Sequence, residues 1–89
     1  MSDAAATMAA MRERLAGLQP AAVAIADDSA LHAGHAGAGG GGHYRLSIVA
    51  PAFVGLGTAA RHRLVYAALG ELMRREIHAL SIEAKAPGE

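Results

Sequence analysis

The chain has no cysteine and no tryptophan, and only one phenylalanine and two tyrosines among its 89 residues. Without cysteine there is no disulfide framework, no thiol nucleophile, and no zinc or iron–sulfur site built on the chain's own thiolates. Lysine occurs once, at Lys85, so the basic side is almost all arginine and favours specific contacts over diffuse attraction. Eight basic and eight acidic residues cancel to a formal net charge of zero, so no global field draws in nucleic acid or membrane. No apolar run approaches the ~18 residues of a membrane span. Residues 1–19 also lack an apolar block followed by a cleavage site, so a cytoplasmic location without membrane contact is expected.

Catalytic signatures are missing too. Ser29, Ser47 and Ser81 lie in no G-x-S-x-G context, and neighbouring acids pair only at Asp27-Asp28, in a turn. The glycine run has neither the Lys-Ser/Thr of a phosphate-binding loop nor the setting of a dinucleotide fingerprint. An enzyme is therefore the least favoured class, and no small-molecule substrate is expected. The length fits one domain, residues 1–89, with a core too modest for a large enclosed cavity.

What is present is regular. Met8, Met11, Leu15 and Leu18 recur at i, i+3, i+7 and i+10, which predicts a helix over residues 3–18 that Pro20 stops. Val23, Ile25 and Asp27 alternate with alanines in a strand over residues 21–27, closed by the turn-forming Asp27-Asp28-Ser29. Six glycines between positions 34 and 42 predict a flexible loop over residues 32–42. A second strand starts at His43, with Tyr44, Leu46, Ile48 and Ala50 on one face and His43, Arg45, Ser47 and Val49 on the other. Phe53 and Val54 are expected to anchor the connection after Pro51, and Thr58 to cap the next helix.

From Ala59, a ridge of Arg61, Val65, Ala68 and Leu72, widened by Leu69 and Met73, predicts a helix that packs on the sheet. Arg74 and Arg75 suit its last turn, where the macrodipole favours cations. Residues 77–85 read as a strand with His78, Leu80, Ile82 and Ala84 on one face and Ile77, Ala79, Ser81 and Glu83 on the other. Residues 86–89 are expected to fray. The order is α-β-β-α-β, with a short extra helical turn near Thr58. The first two strands form an antiparallel hairpin and the third runs parallel to the second, with helices over one face: an α+β fold.

Imidazole is a common metal ligand, so the five histidines carry the chemical interest. His32 and His35 have near-ligand spacing, but without an HExxH or Cys/His box they do not make a self-contained zinc site. His43 shares a face with Arg45. His62 stands between two arginines at a helix start, where a cap or a helix–sheet hydrogen bond is its plain role. His78 has the parity of Leu80 and Ile82, so a partly buried structural histidine is the plain alternative to a ligand.

The segments DDSALHAGHAG, HYRLSIVAPAFVGLG and RHRLVYAALGELMRREIHALSIEAKAP resemble the BolA family. RHRLVY followed sixteen residues later by IHALSI is the most specific part, and the resemblance runs from about Arg12 to Pro87. Departures cluster near the loop: Asp28 stands where glutamate is usual, Ala30 and Leu31 replace polar residues, and Gly42-His43-Tyr44 replaces Thr-His-Phe.

The resemblance implies an α-β-β-α-α-β fold with a three-stranded mixed sheet, like the second type of KH domain, although Gly55-Leu56-Gly57 is not the GxxG clamp. It also implies an adaptor that pairs with a monothiol glutaredoxin and shares a 2Fe–2S cluster, for iron–sulfur trafficking or for iron and redox sensing. The isolated chain would bind no cluster. Carried over, the ligands on this side are His32 and His78, with His35 the rival for the loop position. The glutaredoxin's cysteine and glutathione supply the sulfurs. Arg61, His62, Arg63 and Tyr66 are assigned to the partner interface, Arg61 also as a brace. The alternative implied by the KH-like fold is a nucleic-acid-binding transcriptional regulator that meets DNA weakly, through Arg45, Arg61, Arg63, Arg74 and Arg75.

Overall fold

The computed structural model describes residues 4–28 and 42–89. The glycine-rich loop expected to be flexible, with His32 and His35, lies almost wholly outside the described residues. The chain runs α1 (Ala4–Leu15), β1 (Ala22–Asp27), β2 (His43–Val49), α2 (Thr58–Leu69) and β3 (Ala79–Lys85). Single 3-10 turns lie at Ala16–Leu18 and Pro51–Phe53, and a longer one at Gly70–Arg74. The sheet order is β1-β2-β3. β1 and β2 are antiparallel, with Ala22 opposite Val49 and Asp27 opposite Tyr44. β2 and β3 are parallel, from His43 beside Ala79 to Val49 beside Lys85. This is the expected α+β order with a mixed sheet.

The alternation in β2 decides which face is inside. Tyr44, Leu46 and Ile48 are buried, and they form one core with Met11 and Leu15 of α1 and Val65 and Leu69 of α2. Both helices therefore draw their apolar residues to the same face of the sheet. Val23 and Ile25 of β1 and Leu80 and Ile82 of β3 pack against that core from the flanking strands. Across the outer face run small and polar residues, Ala24 beside Ser47 and Ser47 beside Glu83 in register.

Four expectations need correction. Val54 does not anchor the connection: the residue is 64% exposed, and of the two Phe53 alone is buried. The 3-10 turn Pro51–Phe53 drops the phenyl ring inward and leaves the next side chain outside. The extra helical turn is therefore this one, upstream of Thr58. Thr58 is the first residue of α2 and the cap position is Gly57, which makes no side-chain cap bond. The long helix does not run unbroken to Arg75, because Gly70 adopts φ +56 and ends α2. That left-handed conformation is open to glycine at little cost, and beyond it the chain tightens into the Gly70–Arg74 turn. Arg14 Nη1 donates to the Leu69 carbonyl at 3.3 Å, so a cation from α1 meets the negative end of α2.

The fourth correction concerns the tail, which does not fray. Ala86 is buried, its amide donates to Glu89 Oε1 at 3.0 Å, and the Glu89 amide donates back to the Ala86 carbonyl at 3.1 Å. Arg61 closes this turn, with Nη1 and Nη2 at 2.6 and 2.7 Å from the two Glu89 carboxylate oxygens. The same guanidinium donates to the Leu56 carbonyl at 2.8 Å and the Ala84 carbonyl at 3.0 Å. A planar fork that makes parallel bonds to a carboxylate is the geometry arginine does well and lysine cannot copy.

The hydrogen bond from Arg61, then that from the Ala86 amide, lowers the Glu89 carboxyl from its ordinary 4.5 to about 2, and the pairing raises the Arg61 value in return. A carboxyl whose folded value is depressed stabilises the fold above its ordinary value and loses that contribution as pH falls through the folded one. Glu89→Gln should therefore melt below the parent protein at pH 7, and the gap should close between pH 4.5 and about 2. A gap that stays constant across that range in thermal melts would mean the charge is not what holds the tail. The contrast at the connection is sharper: Phe53→Ala should lower unfolding free energy by about 3–5 kcal/mol. Val54→Ala should stay within about 0.5 kcal/mol in the same denaturant melts.

Candidate functional site

Parallel strands begin at the same end of a sheet, so the starts of β2 and β3 are neighbours. Gly42, the residue before β2, makes the junction. Its carbonyl accepts from the His78 amide at 2.7 Å and from the Ala79 amide at 3.0 Å. It is buried, with φ +88, and a Cβ built on it would lie 2.8 Å from the Glu76 carbonyl oxygen and 3.0 Å from the His78 nitrogen. Only glycine meets both demands, the left-handed backbone and the close approach.

This junction sets two imidazoles side by side. His43 is the first residue of β2, and His78 immediately precedes β3. Their ring centroids are 5.3 Å apart, with planes tilted at 47°. His43 is half-buried and His78 exposed. On the other side of the same strand end, the Asp28 amide donates to the His43 carbonyl at 2.7 Å. The Asp28 carboxylate accepts two bonds of 3.1 Å from Arg45, a bidentate pair that closes the mouth of the β1–β2 hairpin. A shallow cleft of about 180 Å³ runs alongside, lined by Asp28, His43, Tyr44, Ala79, Leu80 and Ser81.

The exposure of His78 departs from its sequence parity. Alternation would put His78 inside with Leu80 and Ile82, and Ile77 outside. Instead Ile77 is 3% exposed and belongs to the core, its amide donating to the Leu72 carbonyl at 2.9 Å. The strand begins only at Ala79, so the period of two does not extend back through the turn. Ile77 plugs the core under the end of the Gly70–Arg74 turn, and the imidazole after it is left at the rim.

The other sequence-nominated residues lie elsewhere. Arg61 reaches the Ala84 carbonyl near the far end of β3, and His62 lines a depression with Thr58, Glu83 and Lys85. A strand of seven residues separates that region from His78, roughly 20 Å at ~3.3 Å per residue. His62 is half-buried and meets Tyr66 edge-on, ring centroids 6.4 Å apart. Tyr66 is 42% exposed and Arg63 is exposed. The structure thus brings His43 to His78 and leaves Arg61, His62, Arg63 and Tyr66 on α2 as a separate group. His32 and His35 lie outside the described residues, among which no cluster of three or more metal-ligating side chains occurs. Spacing along the chain did not single out His43. The available signal was topological: two histidines at the starts of two parallel neighbouring strands.

Together these features define a small α+β domain with an imidazole pair at one end of its sheet. The family model for BolA-like proteins matches residues 15–89, and the chain belongs to the BolA family. It is 44% identical over 84 residues to the protein BOLA1, chloroplastic, of Arabidopsis thaliana, covering 89% of this chain and 52% of that one. The chain thus spans about half the length of that relative. The solved structure of BolA1 from Arabidopsis thaliana superposes with a TM-score of 0.79 at 38% identity, over 93% of this chain and 94% of that one. The BolA domain of SufE1 from the same plant gives 0.80 at 39% identity, over 97% and 96%. Among the described residues no helix is long and apolar enough to cross a membrane.

The junction makes a direct prediction. Gly42→Ala must accept a strained backbone and a contact of 2.8 Å with the Glu76 carbonyl oxygen. It should lose about 1–3 kcal/mol of stability, read by denaturant unfolding, and shift the amide resonances of His78 and Ala79. Unchanged stability and resonances would show that the junction is slack.

Proposed function

We propose that this chain is an adaptor that pairs with a monothiol glutaredoxin and lends histidine nitrogens to a shared 2Fe–2S cluster, in iron–sulfur trafficking or iron and redox sensing. His78 is one ligand and a loop histidine, His32 or His35, the other; the partner's cysteine and a bound glutathione supply the sulfurs. One observation carries the reading: the imidazole of His78 stands exposed at the rim where the glycine-rich loop leaves and rejoins the fold. Asp28 and Gly42, the described residues on either side of that loop, both bond to the backbone of the histidine junction. His32 is four residues beyond Asp28, so its Cα stays within about 14 Å of that anchor by chain length alone.

A chain without cysteine that offers imidazoles suits mixed ligation, which raises a cluster's reduction potential above that of all-thiolate ligation. Within the chain, Gly42 holds the His78 backbone, Ile77 keeps its ring out of the core, and exposed Arg63 and Tyr66 on α2 offer a contact surface to the partner. The nucleic-acid reading is weaker. Of the five arginines nominated for it, Arg45 and Arg61 donate hydrogen bonds within the chain while Arg63, Arg74 and Arg75 are exposed, and the net charge is zero, which suits phosphate-dominated affinity poorly. The cytoplasmic location belongs to the proposal as well; the Arabidopsis relative is named as chloroplastic.

Reconstituting a monothiol glutaredoxin with iron, sulfide and glutathione, then adding this chain, should change the visible absorption and circular dichroism of the cluster. His78→Ala should abolish the change while the variant keeps its apo melting curve. A spectrum that does not respond to the parent chain, or a full response with His78→Ala, would sink the reading.

A further inference from the structure

The imidazole pair at the β2–β3 junction has a geometry of its own. Two imidazoles on one tetrahedral ion, with metal–nitrogen distances of about 2.0–2.1 Å, have ring centroids about 5 Å apart. His43 and His78 stand at 5.3 Å. Their backbones are held in this relation by the chain's own hydrogen bonds. The Gly42 carbonyl ties the chain just before His43 to the amides of His78 and Ala79, and parallel pairing continues from His43 beside Ala79. A preorganised pair loses little freedom when an ion arrives.

We propose that His43 and His78 form a two-imidazole clamp that binds a single borderline divalent ion of the Zn²⁺, Ni²⁺ or Cu²⁺ class on the isolated chain. Imidazole nitrogen selects these ions over Mg²⁺ and Ca²⁺, which prefer oxygen donors. The Asp28 carboxylate beside the pair is engaged by both guanidinium bonds of Arg45. Among the described residues no third histidine, cysteine or carboxylate completes a cluster. Among the described residues, then, the pair leaves the remaining coordination positions to water or to a donor brought by another molecule, and the ion stays exchangeable. Closed structural zinc sites have four protein ligands; the described residues supply two here. The inference deepens the proposed function because it shares His78 with that reading. It differs in naming His43 as the second nitrogen and in needing no glutaredoxin, sulfide or glutathione.

The test uses the 89-residue chain without a histidine tag, titrated with ZnCl₂ or NiCl₂ alone. Calorimetry should show one ion per chain. Long-range ¹H–¹⁵N spectra of the parent protein should show the ring nitrogens of His43 and His78 moving together while those of His62 stay in place. His43→Ala and His78→Ala should each weaken binding by more than about tenfold, since even an outer-shell partner is worth that much. His62→Ala and the double variant H32A/H35A should bind as the parent does, and MgCl₂ should move no ring resonance. Binding that survives His43→Ala, or that disappears in H32A/H35A, would overturn the clamp, as would ring resonances that do not respond to millimolar zinc. The ring spectra of the parent protein need no variant to fold. They also separate this outcome from the glutaredoxin reading: an ion can bind when no cluster forms, and a cluster can form on a loop histidine when no ion binds at His43.

Discussion

One carbonyl organises the histidine end of this molecule. The oxygen of Gly42 takes hydrogen bonds from two successive amides, those of His78 and Ala79, at the point where β2 and β3 begin to pair. Two donors on one acceptor hold the crossing strand in place and in register, and the absence of a Cβ at Gly42 lets the Glu76 carbonyl come close. That register sets the partners of every later residue, to Val49 beside Lys85. It also brings together two imidazoles that are 35 positions apart in the chain. A slip of one residue would turn β3 over and send Leu80 and Ile82 to solvent.

The opposite end of β3 is held differently. There a single guanidinium gathers the connection before α2, the end of β3 and the turn that follows it, through Leu56, Ala84 and Glu89. Between the two ends lies the core, in which one phenylalanine and a set of aliphatic side chains from α1, β2 and α2 meet. With so few aromatics, the packing rests on leucine, isoleucine, valine and methionine, and the fully buried Phe53, Leu46 and Leu69 each come from a different part of the chain. The rim carries its two histidines outside that core.

Local patterning was legible where an element has one buried face. The Met11–Leu15 stripe, the alternation through Tyr44, Leu46 and Ile48, and the Val65–Leu69 ridge all proved to be the core. It misled where regular structure ends. Val54 looked like an anchor, Ile77 and His78 looked like strand residues of opposite parity, and residues 86–89 looked loose, because periodicity carries no information through a turn. Ile77 and the tail were each decided by a contact beyond the reach of that period: the Leu72 carbonyl for Ile77, Arg61 for Glu89. At the candidate site, the motif nominated His78, while His43 was visible only once the parallel pairing was in place.

Sequence by itself determined the family, the α+β order, the inner face of each element and the lack of any thiolate, because these depend on residue type and short-range period. Only the tertiary structure decided which histidines are neighbours, which way the ring of His78 faces, and that the tail is clasped. Those features depend on strand register and on hydrogen bonds between residues far apart in the chain, and a one-dimensional pattern does not encode such distances.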